Sequence, residues 1–209
     1  MNPDVKTGVT LGIAACLAIA VIYTVYKFTE NKIVETSQVT LQEQIQQLLK
    51  PGSYDNDPSQ NRVYVNDAAL GTAESKAIYR ATLTGKPSGS VIEAVAPDGY
   101  SGDIHLLVGV TYHGDVVGVR VTHHRETPGL GDDIEQRRSD WIMSFDNLKQ
   151  GEMAANDWQV KKDGGQFDQF TGATITPRAV VSAVYRVVNW HNDNKVRLFA
   201  AARFEMVAR

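Results

Sequence analysis

The sequence predicts an α+β fold: an antiparallel β-sheet with packed helices, preceded by one N-terminal transmembrane helix. Three observations predict it. Residues 8–28 form one mainly apolar run whose only charge is Lys27, near its end. From 63 to 122 the apolar residues alternate with polar ones and β-branched types dominate, the pattern of half-buried strands. After Pro177 the valines recur at helical spacing instead, so strands and helices are segregated along the chain rather than alternating.

The elements follow in order. At about 1.5 Å per residue, a helix over 8–28 just spans a hydrocarbon core of about 30 Å. Tyr23 and Tyr26 fall towards one end of it, where interfacial aromatics sit. The run is long for a signal peptide and no small-residue cleavage site follows, so it reads as an uncleaved signal anchor behind a short tail, 1–7. Charge alone does not orient it: Lys6 and the N-terminal amine flank one side, Lys27 and Lys32 the other. Residues 29–62 read as a linker with an amphipathic helix, because Leu41, Ile45, Leu48 and Leu49 recur at helical spacing before Pro51-Gly52. Residues 53–62 are polar and Pro-containing, a loop.

Residues 63–209 form one domain. Strands are expected at 77–83 and 90–96, separated by Gly85-Lys86-Pro87-Ser88-Gly89, and at 104–112 and 116–122, a hairpin across His113-Gly114-Asp115. Residues 134–148 read as a helix with Trp141, Ile142 and Phe145 on one face, and 158–161 as a short strand before Asp163-Gly164-Gly165. Thr176 is expected to open a helix carrying Val180, Val181, Val184, Val187 and Val188, and a last helix is expected over 196–207.

Composition narrows the function. Among 209 residues the formal net charge is −3, so no basic excess points to nucleic acid. Cys16 is the only cysteine and lies in the apolar run, which excludes an intramolecular disulfide and a multi-cysteine zinc or iron–sulfur site. Redox chemistry would have to come from a bound group. The chain has neither a Gly-x-x-x-x-Gly-Lys-Ser/Thr phosphate loop nor a Gly-x-Ser-x-Gly nucleophile elbow.

Two strings carry chemistry. In Thr171-Gly172-Ala173-Thr174-Ile175-Thr176-Pro177, Pro suits the first helical position and Thr176 the N-cap before it. A capped helix start is commonplace, but it is also a seat for phosphate, and a hydroxyl held there could carry the phosphate covalently. Thr174 could hydrogen-bond the same phosphate, and Gly172 lets the backbone come close. The second string is His123-His124-Arg125-Glu126-Thr127-Pro128-Gly129-Leu130-Gly131, an irregular loop leaving a strand end. On a strand, His124 and Glu126 would share one face and His123 the other. Two local ligands are too few for a closed zinc site, so no metal is expected. Tyr79, Tyr100 and Trp158 are candidates to stack on a ring or simply to fill the core.

Asp168-Gln169-Phe170-Thr171-Gly172-Ala173-Thr174-Ile175-Thr176 resembles the flavinylation motif of the FMN-binding domain family, with Gln169 where that family often has Gly and Thr171 where Ser is commoner. The resemblance implies an FMN attached covalently to Thr176 by a phosphoester, placed there by a flavin transferase that uses FAD and a divalent metal. It gives Asp168 to recognition by the transferase. His124, Glu126 and Thr127, in a loop similar to the one accompanying the motif in electron-transport members of the family, either frame the isoalloxazine ring or shape the loop. Gly99-Tyr100-Ser101-Gly102-Asp103-Ile104 resembles those members' entry to the hairpin. With the N-terminal anchor, the strings resemble the G-type subunits of Rnf (Rsx) ion-translocating electron transport complexes. The C-type subunits of sodium-translocating NADH:quinone reductases remain a second resemblance, and a membrane-anchored accessory or sensory protein a third reading. The first implies a subunit that relays electrons between ferredoxin and NAD within a membrane complex, with no complete catalytic cycle of its own. Its domain would be periplasmic, on the bacterial cell inner membrane, beside the other membrane subunits. A phosphodiester at Thr176 would keep a negative charge near a helix N-terminus, where the dipole stabilises it.

Overall fold

The computed structural model describes the backbone of residues 3–207, and the side chains of these apart from 3–7, 10, 28–40, 206 and 207. It separates into two compact units, Met1–Glu43 and Gln44–Arg209. Helix α1 (Pro3–Gln47) supplies nearly all of the first. There Val9, Leu11, Ile13, Leu17, Ile19, Val21 and Ile22 are all more than half exposed. Among the described residues no helix is long and apolar enough to cross a membrane. Lys6, Thr10, Phe28 and Lys32, on which the expected span and its flanks partly rest, lie outside the described side chains.

The second unit is built on one sheet. Its strands are β1 (Arg62–Val65), β2 (Lys76–Leu83), β3 (Lys86–Ala96), β4 (Ile104–Thr111), β5 (Val116–His123) and β6 (Met206–Val207). They lie in the order β5-β4-β3-β2-β1-β6. The first five pair antiparallel, and the two-residue β6 adds parallel to β1. From β1 to β5 consecutive strands are neighbours, whereas β6 returns to the opposite edge from β5. The α+β class with an antiparallel sheet and helices is as the sequence predicts.

Both faces of the sheet are covered. Ile92, Ala94, Leu106, Val108 and Val110 join one core cluster with Val180, Val181, Val184, Val187 and Val188 of helix α2 (Ile175–Ala200). These α2 valines recur at three- and four-residue spacing and form the stripe that docks on the sheet. The alternate residues Val91 and Leu107 are also buried, on the other side, where Leu48 lies over Gly109 and Gly118. The end of the apolar pattern read in the linker is therefore a docking stripe, with Ile45, Leu48 and Leu49 all buried. Leu41 belongs to the first unit.

Arg80 of β2 ends α2. Its guanidinium donates to the carbonyls of Leu198 at 2.8 Å and Ala201 at 2.7 Å, and to Asn61 Oδ1 at 2.7 Å. A cation at this end satisfies free carbonyls and opposes the helix dipole.

Five expectations are corrected. The loop 85–89 is a two-residue turn, Thr84-Gly85, and β3 starts at Lys86. No α-helix covers 134–148; Asp132–Ile134 and Trp141–Phe145 are separate 3-10 turns. Ser139 fixes the start of the second, its hydroxyl accepting from Trp141 N at 3.1 Å and donating to the carbonyl of Asp133 at 2.7 Å. The strand at 158–161 reduces to a single bridge, Val160 to Phe167. The last helix, 196–207, is the continuation of α2 to Ala200, with β6 beyond it. Finally, Thr176 is not an N-cap: α2 starts two residues earlier, with Thr174 in the cap position and no side-chain hydrogen bond there.

Candidate functional site

The two sequence strings meet. β5 delivers the chain to His124, and the loop that follows is tied down at each end. The imidazole Nδ1 of His124 accepts from the amide of Glu126 at 3.0 Å, and Nε2 lies 2.7 Å from Glu135 Oε1. Because Nδ1 accepts, the proton belongs on Nε2, and the neutral ring donates to Glu135. The Arg137 guanidinium, and then His124, hold the Glu135 carboxyl below the usual carboxylate range. Past Thr127, its carbonyl accepts from the amides of Leu130 and Gly131 at 3.1 and 3.0 Å. Buried Asp132 accepts from Gly129 N at 2.6 Å and pairs with Arg138 at 3.2 Å.

The loop brings one carboxylate to one hydroxyl. Thr176 Oγ1 donates to Glu126 Oε2 at 2.5 Å, and Glu126 Oε1 accepts from Ser101 N at 3.0 Å. Thr176 is 0% exposed and Glu126 4%. The pair fits only because Gly131 has no side chain: a β-carbon there would stand 2.8 Å from Glu126 Oε2 and 3.0 Å from Thr176 Oγ1. A buried carboxylate needs such partners to offset its desolvation.

On the other side, Phe170 to Ala173 form a tight turn with Gly172 at φ 80° in its third position, the Ala173 amide donating to the Phe170 carbonyl at 3.2 Å. A left-handed residue there is the mark of a type II turn. The turn leads directly into Thr174 and α2. Between turn and loop opens a cleft of about 330 Å³, lined by Tyr100, Glu126, Thr127, Leu130, Gly131 and 172–176. Tyr100, Leu130 and Ile175 are exposed and apolar around it.

The sequence-named residues therefore divide. Gly172, Ala173, Thr174, Thr176, Glu126 and Thr127 line one cleft. His124 does not line it and acts behind the loop, and Thr171 sits in the turn, exposed. Asp168 is outside: its carboxylate pairs with Lys161 at 2.6 Å and its carbonyl accepts from Trp141 Nε1 at 2.7 Å. Arg178 is taken by Asp163. Tyr79 is buried with its hydroxyl on Glu93 at 2.7 Å, and burial first, then Glu93, pushes that phenol up. Trp158 packs against Phe167 and Tyr185 in the core. Of the three aromatic candidates Tyr100 alone lines the cleft. Leu130 and Ile175 lie within the two strings but were given no role by the sequence, and Gly131 was read only as part of an irregular, close-approach loop; nothing local marks which members of a string face the cleft.

This cleft fits a phosphate-bearing ring. Its volume lies in the range of small-ligand pockets. No side chain caps the first turn of α2, leaving main-chain donors for an anion. The apolar rim of Tyr100, Leu130 and Ile175 suits a planar ring better than a sugar.

Comparison with known proteins identifies the family. A family model, the FMN-binding domain, matches residues 99–189, from the Tyr100 side of the cleft through most of α2. A G-type subunit of the ion-translocating oxidoreductase complex, from Pseudoalteromonas atlantica, is 48% identical over 198 residues, covering 94% of this chain and 92% of its own. Its namesake from Pseudomonas aeruginosa is 45% identical over 196 residues, covering 93% and 92%. Among solved structures, Shewanella oneidensis NqrC matches with a TM-score of 0.44 at 24% identity, over 62% of this chain and 63% of its own. With relatives this similar along nearly its whole length, the chain belongs to the family of G-type subunits of ion-translocating oxidoreductase complexes.

Proposed function

We propose that this chain is the flavoprotein subunit of an ion-translocating electron transport complex, with FMN held as a phosphoester on Thr176. One observation carries the reading: the Thr176 hydroxyl sits at the uncapped start of α2, at the floor of a cleft of ligand size. The family model and the names of the relatives support FMN and membership of a complex.

Bound FMN supplies one- and two-electron transfer, while the protein supplies position and electrostatics. In this chain Thr176 fixes the phosphate end, and the amides at the start of α2 stabilise its charge. Thr174 and Gly172 line the same cleft and would border the phosphate, and the apolar rim of Tyr100, Leu130 and Ile175 would help to keep water from a bound ring. Lys161 and Arg178 stay with Asp168 and Asp163 rather than with the phosphate. Asp168 is exposed together with its turn, which favours its use in recognition by an FAD-dependent flavin transferase.

Residues 8–28 anchor the chain in the bacterial inner membrane, behind the cytoplasmic tail 1–7. The length of this run and its single charge, Lys27 near its end, support that role. The linker 29–62 then leads to the periplasmic domain 63–209, which relays electrons between ferredoxin and NAD in company with the other membrane subunits. The test is purification of the complex from native membranes followed by a denaturing gel. Flavin fluorescence on the band of this chain supports the reading, and a dark band from a complex active in electron transfer overturns it.

A further inference from the structure

A carboxylate is an odd neighbour for a hydroxyl that is to carry phosphate. Both are anions once the phosphodiester has formed, and the contact is shielded from solvent, with Thr176 at 0% and Glu126 at 4% exposure. A hydroxyl near a helix start can instead be satisfied by a nearby backbone carbonyl, without burying a charge. Yet Glu126 is held firmly in place. Ser101 N fixes Oε1 at 3.0 Å, leaving Oε2 for Thr176 at 2.5 Å. The imidazole of His124 fixes the Glu126 main chain at 3.0 Å. Gly131 clears the space around both atoms, and Gly99 does the same beside Oε1, where a β-carbon would lie at 3.0 Å. Oε2 therefore meets the one proton that phosphoester formation has to remove.

We propose that Glu126 is the proton acceptor for attachment of the flavin to Thr176, so that the acceptor protein contributes its own general base. The proposal rests on Thr176 being the attachment point. The co-reactant is a flavin dinucleotide bound to a transferase. Thr176 Oγ1 attacks the phosphorus on the flavin side of the pyrophosphate. The new O–P bond forms as the pyrophosphate P–O bond breaks, and AMP departs with that bond's electron pair. The hydroxyl proton passes to Glu126 Oε2, and no atom changes oxidation state. The hydrogen bond then reverses: protonated Glu126 donates to the ester or phosphate oxygen, so the product does not confront two anions. An amide at 126 could accept a hydrogen bond from Thr176 but not its proton.

The test uses the full chain purified in detergent, a purified flavin transferase, FAD and magnesium, with loading followed by intact mass. Wild type gains the flavin phosphate and Thr176→Ala does not. Glu126→Gln, folded with an unchanged far-ultraviolet spectrum and melting point, loads at least about 100-fold more slowly, the usual worth of a general base. Glu126→Asp recovers part of the rate. The ratio of Glu126→Gln to wild-type rates rises with pH, because hydroxide replaces the missing base while the transferase's own titration cancels. If Glu126→Gln does not fold, Glu126→Asp against Glu126→Asn makes the same comparison one methylene shorter. Loading of the amide variant within about threefold of its carboxylate counterpart overturns the proposal, since that is too little for a general base, and leaves the attachment site standing. A wild type that gains no flavin, or a Thr176→Ala chain that does, removes the attachment reading and this proposal with it.

Discussion

Thr176 donates its hydroxyl hydrogen to Glu126 across 50 residues of chain, joining the start of α2 to the loop after β5. The loop is thereby a wall of the cleft and a partner of its floor. Its geometry depends on the space at Gly131.

Gly131→Ala should break this contact. Its backbone, at φ −92°, is ordinary for alanine, so the effect is steric: the new carbon would stand 2.8 Å from Glu126 Oε2 and 2.9 Å from its Cβ. Overpacking of this kind costs roughly 1–3 kcal/mol. Gly129→Ala is the control. It meets nothing within 4 Å, although its φ of 78° adds backbone strain. Chemical unfolding of both variants, with flavin loading measured beside it, checks this. Loading should fall in Gly131→Ala and be nearly unchanged in Gly129→Ala.

Buried His191 should make the fold acid-sensitive. It is 0% exposed, neither ring nitrogen has a partner among the described residues, and burial, followed by Lys195, pulls it down to about 4. The unfolded chain titrates near the ordinary histidine value of about 6.5. Between these values the unfolded state binds more protons, so stability falls as pH drops from about 6.5 towards 4, by up to about 3 kcal/mol. His191→Leu removes this component. Denaturant midpoints at pH 7 and pH 4.5 should lie closer together in the variant than in wild type; equal separations contradict the assignment.

The sheet was legible because alternation needs only local information: the strands at 77–83, 104–112 and 116–122 differ from the observed β2, β4 and β5 by one residue at an end. The segment 134–148 was not. Ile142 and Phe145 are both buried and three residues apart, a spacing that one 3-10 turn satisfies as well as an α-helix. Phe145 stacks on Phe167 at 4.6 Å and Trp141 meets Phe170 edge-on at 5.1 Å, so the apolar face serves an aromatic cluster. Thr176-Pro177 misled for a related reason. Proline is tolerated anywhere in the first turn, where amides lack intrahelical partners, so it marks the start only to within a turn. The two site strings were both readable, but their meeting was not. Nothing local to Glu126 says that it faces Thr176 rather than a ring.

The anchor predicts a topology. Protease added to spheroplasts should digest the domain over 63–209 and leave a short membrane fragment that includes 8–28. Protection in intact spheroplasts, with digestion only after lysis, would put the domain in the cytoplasm.

Thr174→Ala should separate the two threonines. Thr174 occupies the cap position without a side-chain bond, so its loss should change stability by no more than about 0.5 kcal/mol. Thermal melts check this, and covalent flavin should persist in the variant, at full or reduced yield.

Covalent attachment of the flavin at Thr176 shows itself in the intact mass of the chain. The full chain, produced together with a flavin transferase and denatured in acid, should gain the mass of FMN less one water, and peptide mapping should place that mass on Thr176. Thr176→Ala should remain at the unmodified mass. A wild-type chain that stays unmodified beside an active transferase, or covalent flavin that survives in Thr176→Ala on another residue, would rule out Thr176 as the attachment point.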